Sequence, residues 1–115
     1  SKVKKVIMCS GKIYFDLLDE QQKQKAKEVA ILRIEQLHPF PKKQLDAILK
    51  KYKNPTLIWA QEEPENMGPW SYILRIAGGY EFILVARKAA SSPATGFNKI
   101  HKLEQEDLVN KAFKL

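Results

Sequence analysis

The chain has 115 residues, 44% hydrophobic and 29% charged, with one cysteine and a net charge of +7. That length carries one compact core and leaves no room for a second domain, and the composition is not that of a disordered chain. An intramolecular disulfide is impossible, and no apolar run approaches the roughly 20 residues needed to cross a bilayer.

The first residues, Ser1-Lys2-Val3-Lys4-Lys5-Val6, lack the long apolar core of a signal peptide, and a lone Cys9 suits a reducing compartment, so an intracellular protein is expected. Residues 3–9 are β-branched and apolar and stop at Ser10-Gly11-Lys12, which predicts a buried first strand followed by a tight turn, with Cys9 as a small core hydrophobe. From residue 13 to about 25, Tyr14, Leu17, Leu18 and Gln21 share one helical face, with Ser10 or its loop as the cap. Residues 29–34 predict a second strand.

Pro39 and Pro41 then interrupt regular structure, and Pro41 suits the first turn of a helix whose apolar stripe is Leu45, Ile48, Leu49 and Tyr52 and whose stop is Asn54-Pro55. A third strand begins at residue 56. It runs into residues 61–70, Gln-Glu-Glu-Pro-Glu-Asn-Met-Gly-Pro-Trp, where prolines and adjacent like charges predict the strand's end near Gln61. Residues 70–77 read as a short helix ending at Gly78-Gly79. Residues 82–86 read as a continuous apolar strand covered on both faces, and residues 101–113 as a closing helix.

Strands alternating with helices predict a three-layer α/β/α fold with a mostly parallel sheet of about four to five strands. In such a sheet the loops that leave the carboxyl ends of the strands gather along one edge. Residues 10–12, 35–41, 62–69 and 87–98 are therefore expected to meet there.

Glu62, Glu63 and Glu65 suggest a general base or a hard-cation site, but no further carboxylate, imidazole or thiol stands at ligand spacing, so a structural role is expected and no metal. A glutamate of this group is expected to accept backbone N–H bonds from its own loop. Ser10-Gly11-Lys12 lacks the glycine spacing of a phosphate loop, and no nucleophile elbow occurs, so no catalytic residue is assigned. Residues 87–99 open with Arg87 and Lys88 and continue through Ser91, Ser92 and small residues to Lys99, the composition of an anion site near a helix N-terminus. The remaining basic excess, in residues 22–27, 42–43 and 50–51, lies at helical spacing without interleaved aromatics, which argues for solvated helix faces and against nucleic acid.

Four separated stretches carry a family resemblance. They are Val-Ile-Met-Cys-Ser-Gly-Lys-Ile-Tyr-Phe-Asp-Leu-Leu from Val6, Arg-Ile-Glu-Gln-Leu-His-Pro-Phe-Pro from Arg33, Trp-Ala-Gln-Glu-Glu-Pro-Glu-Asn-Met-Gly-Pro-Trp from Trp59, and Ser-Pro-Ala-Thr-Gly from Ser92. Together they resemble the C-terminal domain of the 2-oxoglutarate dehydrogenase E1 component, over nearly the whole chain. The resemblance implies a transketolase C-terminal-like domain, residues 1–115, at the end of a longer homodimeric enzyme that uses thiamine diphosphate and Mg²⁺. That enzyme decarboxylates 2-oxoglutarate in the tricarboxylic acid cycle and passes the succinyl group to the lipoyl arm of the E2 succinyltransferase.

The fragment itself is then expected to be inactive, to bind neither thiamine diphosphate nor Mg²⁺, and to support dimer assembly. Arg87, Lys88, Ser91, Ser92 and Lys99 become candidates for an acyl-CoA or nucleotide effector, and Glu62, Glu63, Asn66, Gly68 and Trp70 a structural or interface motif. The chain departs from the family's pattern at Ala86, where glycine is usual, and at Lys88. The competing resemblance is to the assembly domain of another thiamine enzyme, a 2-oxoacid decarboxylase or transketolase. Bacterial cytoplasm is the favoured location over the mitochondrial matrix.

Overall fold

The computed structural model describes residues 3–35, 42–52, 55–64, 67–70, 72–73, 80–87 and 98–114, with the side chains of 98–102 excepted. Its elements in chain order are β1 (Lys5–Cys9), α1 (Ile13–Gln24), β2 (Val29–Arg33), α2 (Lys42–Leu49), β3 (Thr56–Pro64), β4 (Ile83–Arg87) and α3 (Asn98–Lys114). All strand pairs are parallel, in the order β2-β1-β3-β4. The expected three-layer architecture is therefore present, with a four-stranded sheet.

Alternation along the strands sorts the core into two halves. Ile7, Cys9, Ile58, Ala60 and Val85 face α1 and α3, meeting Ile13, Leu17, Leu108, Val109 and Ala112. Val6, Met8, Leu57 and Trp59 point the other way, toward Leu45 of α2 and toward Ile73. β1 and β3 are central strands buried on both faces, which is why their sequences are continuous apolar runs rather than alternating ones.

α1 begins at Lys12 without a side-chain cap, so Ser10 does not serve as one. The first turn is closed by backbone bonds from Tyr14 N to Gly11 O (3.4 Å) and from Phe15 N to Lys12 O (3.1 Å). At its far end Lys25 takes a left-handed φ of 52°, and the backbone N–H groups of Lys25 and Ala26 close on Gln22 and Gln21. Gln21 also donates from Nε2 to Val29 O (2.6 Å), joining the helix end to the start of β2. Lys5 Nζ donates to Phe113 O (2.7 Å) and Ala112 O (3.3 Å), placing a cation at the C-terminal end of α3, where the macrodipole favours it.

Two elements differ from the sequence expectation. β3 does not stop near Gln61 but continues to Pro64. It can do so because the ladder slips there: Ala60 pairs with Val85 and Pro64 with Arg87, so residues 61–63 of β3 lie opposite Ala86 alone. A bulge of this kind releases residues from the ladder, so polar side chains and a proline are tolerated at the strand's end. β4 is an edge strand rather than a covered one: Val85 is buried while Ile83 is 44% exposed. A run of apolar residues does not distinguish a central strand from an edge strand. Gly78 and Gly79, the predicted stop after residues 70–77, lie outside the described residues, although Trp70, Tyr72 and Ile73 are helical.

The segment before β4 is tied to α2 by Tyr80, whose phenol donates to Asp46 Oδ1. This hydrogen bond, with some burial and the carboxylate's charge, pushes the phenol above its usual 10.0. The folded state thus holds the Tyr80 proton more tightly than the unfolded chain. The associated stability is complete below pH 10.0 and is lost as pH rises from there through the folded value. Tyr80→Phe is expected to flatten the alkaline limb of the melting temperature against pH. A thermal melt series reads this directly.

Candidate functional site at the carboxyl edge of the sheet

The strand order creates a switch point. From β1 the chain moves outward to β2 through α1, then crosses to the other side of β1 to form β3. The loop leaving β1 therefore departs toward the α1/α3 face. The residues following β3 reach Trp70 and Ile73, which pack on the α2 face. Neighbouring strands whose connections leave toward opposite faces make the carboxyl ends of β1 and β3 the place where open parallel sheets hold ligands or partners.

On the α1/α3 side of this edge the described side chains form one polar network. Lys12 Nζ lies 3.9 Å from Glu62 Oε2, joining the turn after β1 to the end of β3. Gln105 of α3 donates from Nε2 to Asp16 Oδ2 of α1 (2.8 Å) and to Glu62 Oε1 (3.4 Å). Its Oε1 accepts from Arg87 NH2 (2.9 Å), and Arg87 NH1 pairs with Glu104 Oε2 at 3.1 Å. The Arg87 side chain is only 8% exposed, whereas Glu104 is 42% exposed. Arg87 thus fastens the end of β4 to α3. The Lys12–Glu62 pair, with an exposed ammonium, contributes at most about 1 kcal/mol.

On the opposite side Gln61 shapes the loop. It is 2% exposed and shares a strand face with Trp59, whose indole Nε1 donates to Gln61 Oε1 (3.0 Å). The Gln61 amide then donates to the carbonyls of Glu63 (3.1 Å), Pro64 (2.9 Å) and Met67 (2.8 Å). Among the described residues the loop is anchored by an amide donating to backbone carbonyls; Glu65, one of the glutamates expected to accept backbone N–H groups of this loop, lies outside the described residues. An amide suits the position because it must accept from an indole and donate to carbonyls at once, which a carboxylate cannot do.

Gly68 completes the turn with φ +71°, and a Cβ there would lie 2.8 Å from Glu63 Cβ. Gly68→Ala is expected to cost about 1–3 kcal/mol, from left-handed strain plus the Glu63 clash. A urea midpoint within experimental error of the parent would show that the loop yields freely.

Of the residues singled out from sequence, Glu62, Glu63, Gly68, Trp70 and Arg87 belong to or adjoin this edge. Glu62 faces the α1/α3 side, Trp70 packs into the α2-side core, and Glu63 closes against Gly68. Lys88, Ser91, Ser92 and Asn66 lie outside the described residues, and Lys99 falls in the first turn of α3 with its side chain undescribed. Sequence reasoning missed Gln61, Glu104 and Gln105 as organising groups. Gln61 had a detectable signal, an amide two residues beyond a tryptophan on a core strand. Gln105 had none, being one polar residue among many on an exposed helix.

The arrangement holds its groups against one another. Among the described residues no three His, Cys, Asp or Glu side chains converge to hold a metal. The Cys9 thiol is fully buried, and burial pushes it up to about 12, against a smaller opposing effect of Arg33, so it is a core group and not a neutral-pH nucleophile.

Fold and site together define a three-layer α/β domain whose carboxyl edge is hydrogen-bonded across α1, β3, β4 and α3. The family model described as 2-oxoglutarate dehydrogenase C-terminal matches residues 1–113, and the chain belongs to that family. It is 42% identical to the 2-oxoglutarate dehydrogenase E1 component of Cupriavidus necator, over 98% of this chain and 12% of the relative. It is 43% identical to an oxoglutarate dehydrogenase of Buchnera aphidicola, over 99% of this chain and 13% of that protein. Identity to the E1 component of Rickettsia conorii is also 43%, over 97% and 13%. The chain therefore spans about an eighth of the length of the relatives it matches. No helix among the described residues is long and apolar enough to cross a membrane.

Proposed function

We propose that the chain is the non-catalytic C-terminal domain of a 2-oxoglutarate dehydrogenase E1 component, supporting assembly of the E1 homodimer and carrying a regulatory anion site. The observation that carries this reading is the family match over residues 1–113 by a chain that spans 12–13% of its relatives. In the proposal the whole enzyme decarboxylates 2-oxoglutarate in the bacterial cytoplasm and delivers the succinyl group to the E2 lipoyl arm. Thiamine diphosphate and Mg²⁺ serve that reaction. The described residues offer no converging metal ligands for them, so they are assigned to the portion of the enzyme beyond this chain.

The regulatory site is placed at Arg87, Lys88, Ser91, Ser92 and Lys99, for an acyl-CoA or nucleotide phosphate. In its support, β4 delivers Arg87 to the carboxyl edge and α3 begins nearby in sequence at Asn98, where a helix N-terminus favours anions. Two guanidinium nitrogens of Arg87 are engaged by Glu104 and Gln105, which holds the guanidinium at the end of β4.

Carbon dioxide release from 2-oxoglutarate tests the main reading. The full-length enzyme with thiamine diphosphate and Mg²⁺ is expected to turn over, and the 115-residue piece under the same conditions is not. Turnover by the piece, or none by the full chain, contradicts it. The regulatory site fails if Arg87→Ala and Lys88→Ala leave acetyl-CoA and AMP titrations unchanged in a full-length protein that binds those ligands.

A further inference from the structure

At the β1–β2 end of the same edge lies a group that the polar network does not use. Phe15, in the first turn of α1, is 55% exposed and meets the Tyr14 ring edge-on at 5.5 Å. Arg33, the exposed last residue of β2, holds its guanidinium carbon 5.3 Å from the Phe15 centroid and 5.6 Å from that of Tyr14. None of the ion pairs among the described residues includes Arg33. The other large exposed apolar residues among those described, Ile83 and Leu103, stand on β4 and α3.

We propose that Tyr14, Phe15 and Arg33 form the seat of a carboxylate-bearing segment of the E1 chain that lies outside these 115 residues. Arg33 pairs with the carboxylate through the hydrogen-bonding edge of its guanidinium, and apolar side chains flanking that carboxylate cover Phe15. The inference rests on the reading of the chain as the terminal domain of an E1.

Three arguments support it. Contact with two rings restrains the Arg33 side chain before any partner arrives, so less conformational entropy is lost when a carboxylate binds. Aromatic residues and arginine are the types that dominate the energetics of interfaces, and here they coincide at one exposed place. Finally, about seven eighths of the length of the relatives is outside this chain, so an upstream surface is available to cover the cluster. A carboxylate partner is specified over a neutral one because a guanidinium with no ion pair among the described residues is shielded from water most cheaply by an opposite charge.

The test uses the full-length protein carrying Arg33→Lys, treated with a zero-length carbodiimide that joins the introduced amine to a carboxylate in contact with it. Subunits of light and heavy isotope composition are mixed, and the linked peptides are read by mass spectrometry. The expected product joins the peptide containing position 33 to an Asp or Glu peptide upstream of this domain in the same subunit, with light and heavy labels unmixed. In parallel, Arg33→Ala is expected to raise hydrogen exchange about tenfold in that upstream peptide as well as in α1, while the β3 peptide keeps its protection. Three outcomes overturn the proposal: mixed light–heavy products, which make the occupant a second copy, links confined to this domain, and no link with unchanged exchange. Decarboxylation of 2-oxoglutarate by the untreated parent is measured separately. Its absence removes the E1 reading, whereas its presence with any of these outcomes removes only the seat.

Discussion

Gln61→Leu is expected to destabilise the domain by about 3–5 kcal/mol, although leucine nearly matches glutamine in volume. The loss arises on both sides of the amide. The Trp59 indole N–H, on a fully buried side chain, loses its acceptor, and the carbonyls of Glu63 and Met67 lose the amide donor, while Pro64 O keeps the Met67 N–H (2.9 Å). Each buried polar group left without a partner costs about 1–3 kcal/mol, and the leucine recovers part of that through apolar contact with Trp59. Gln61→Glu is expected to be at least as damaging, because a carboxylate would face three carbonyl oxygens. Urea unfolding reads both variants. A midpoint shift worth less than about 1 kcal/mol for Gln61→Leu would mean that water or the loop itself replaces the amide.

The second large effect is an asymmetry in the pair that fastens β4 to α3. Removing the carboxylate with Glu104→Leu leaves a guanidinium that is 8% exposed with one fewer counter-charge, at an expected cost of about 3 kcal/mol. Arg87→Met leaves Glu104, which is 42% exposed and can be solvated, so the cost is expected to be smaller, about 1–2 kcal/mol. The double variant should then lie closer to Arg87→Met than to the sum of the two, since the buried charge is gone. Additive losses in a double-mutant cycle would show that the two side chains act independently.

The layering and strand direction were legible in the sequence because they follow from periodicity. The apolar runs around Ile7 and Ile58 mark the central strands, and Leu45 and Leu49 mark the inner side of α2. The common edge shared by the strand ends Cys9, Arg33, Pro64 and Arg87 followed from parallel pairing alone, while most of residues 35–41 and 88–97, expected to gather there, lie outside the described residues. The end of β3 was misplaced because the bulge at residues 61–63 depends on how β4 pairs, a non-local fact that proline and glutamate content cannot reveal. The exposure of Ile83 was missed for a similar reason, since strand order decides which strand lies at the edge.

Within the site, Arg87 was picked out from sequence for its charge, but its contacts with Glu104 and Gln105 depend on α3 folding back across the sheet edge. Gln105 joins α1, β3 and β4 through one amide, and nothing in its local sequence marks it. What sequence does identify is the stretch that must do something unusual, Gln61 to Trp70. Which of its polar groups does the work was a question for geometry.

The carboxylates of that stretch also decide the central claim, that this domain shapes and supports an E1 enzyme without performing its chemistry. Glu62 stands between Lys12 and Gln105 at the switch point, where a catalytic base would also be at home. The most direct measurement is Glu62→Gln in the full-length enzyme, with kcat for 2-oxoglutarate decarboxylation compared with the dimer dissociation constant and the melting temperature. The account predicts that assembly or stability suffers at least as much as turnover. A fall in kcat of about a hundredfold or more, with dimerisation and melting unchanged, would contradict it and make Glu62 a participant in the reaction.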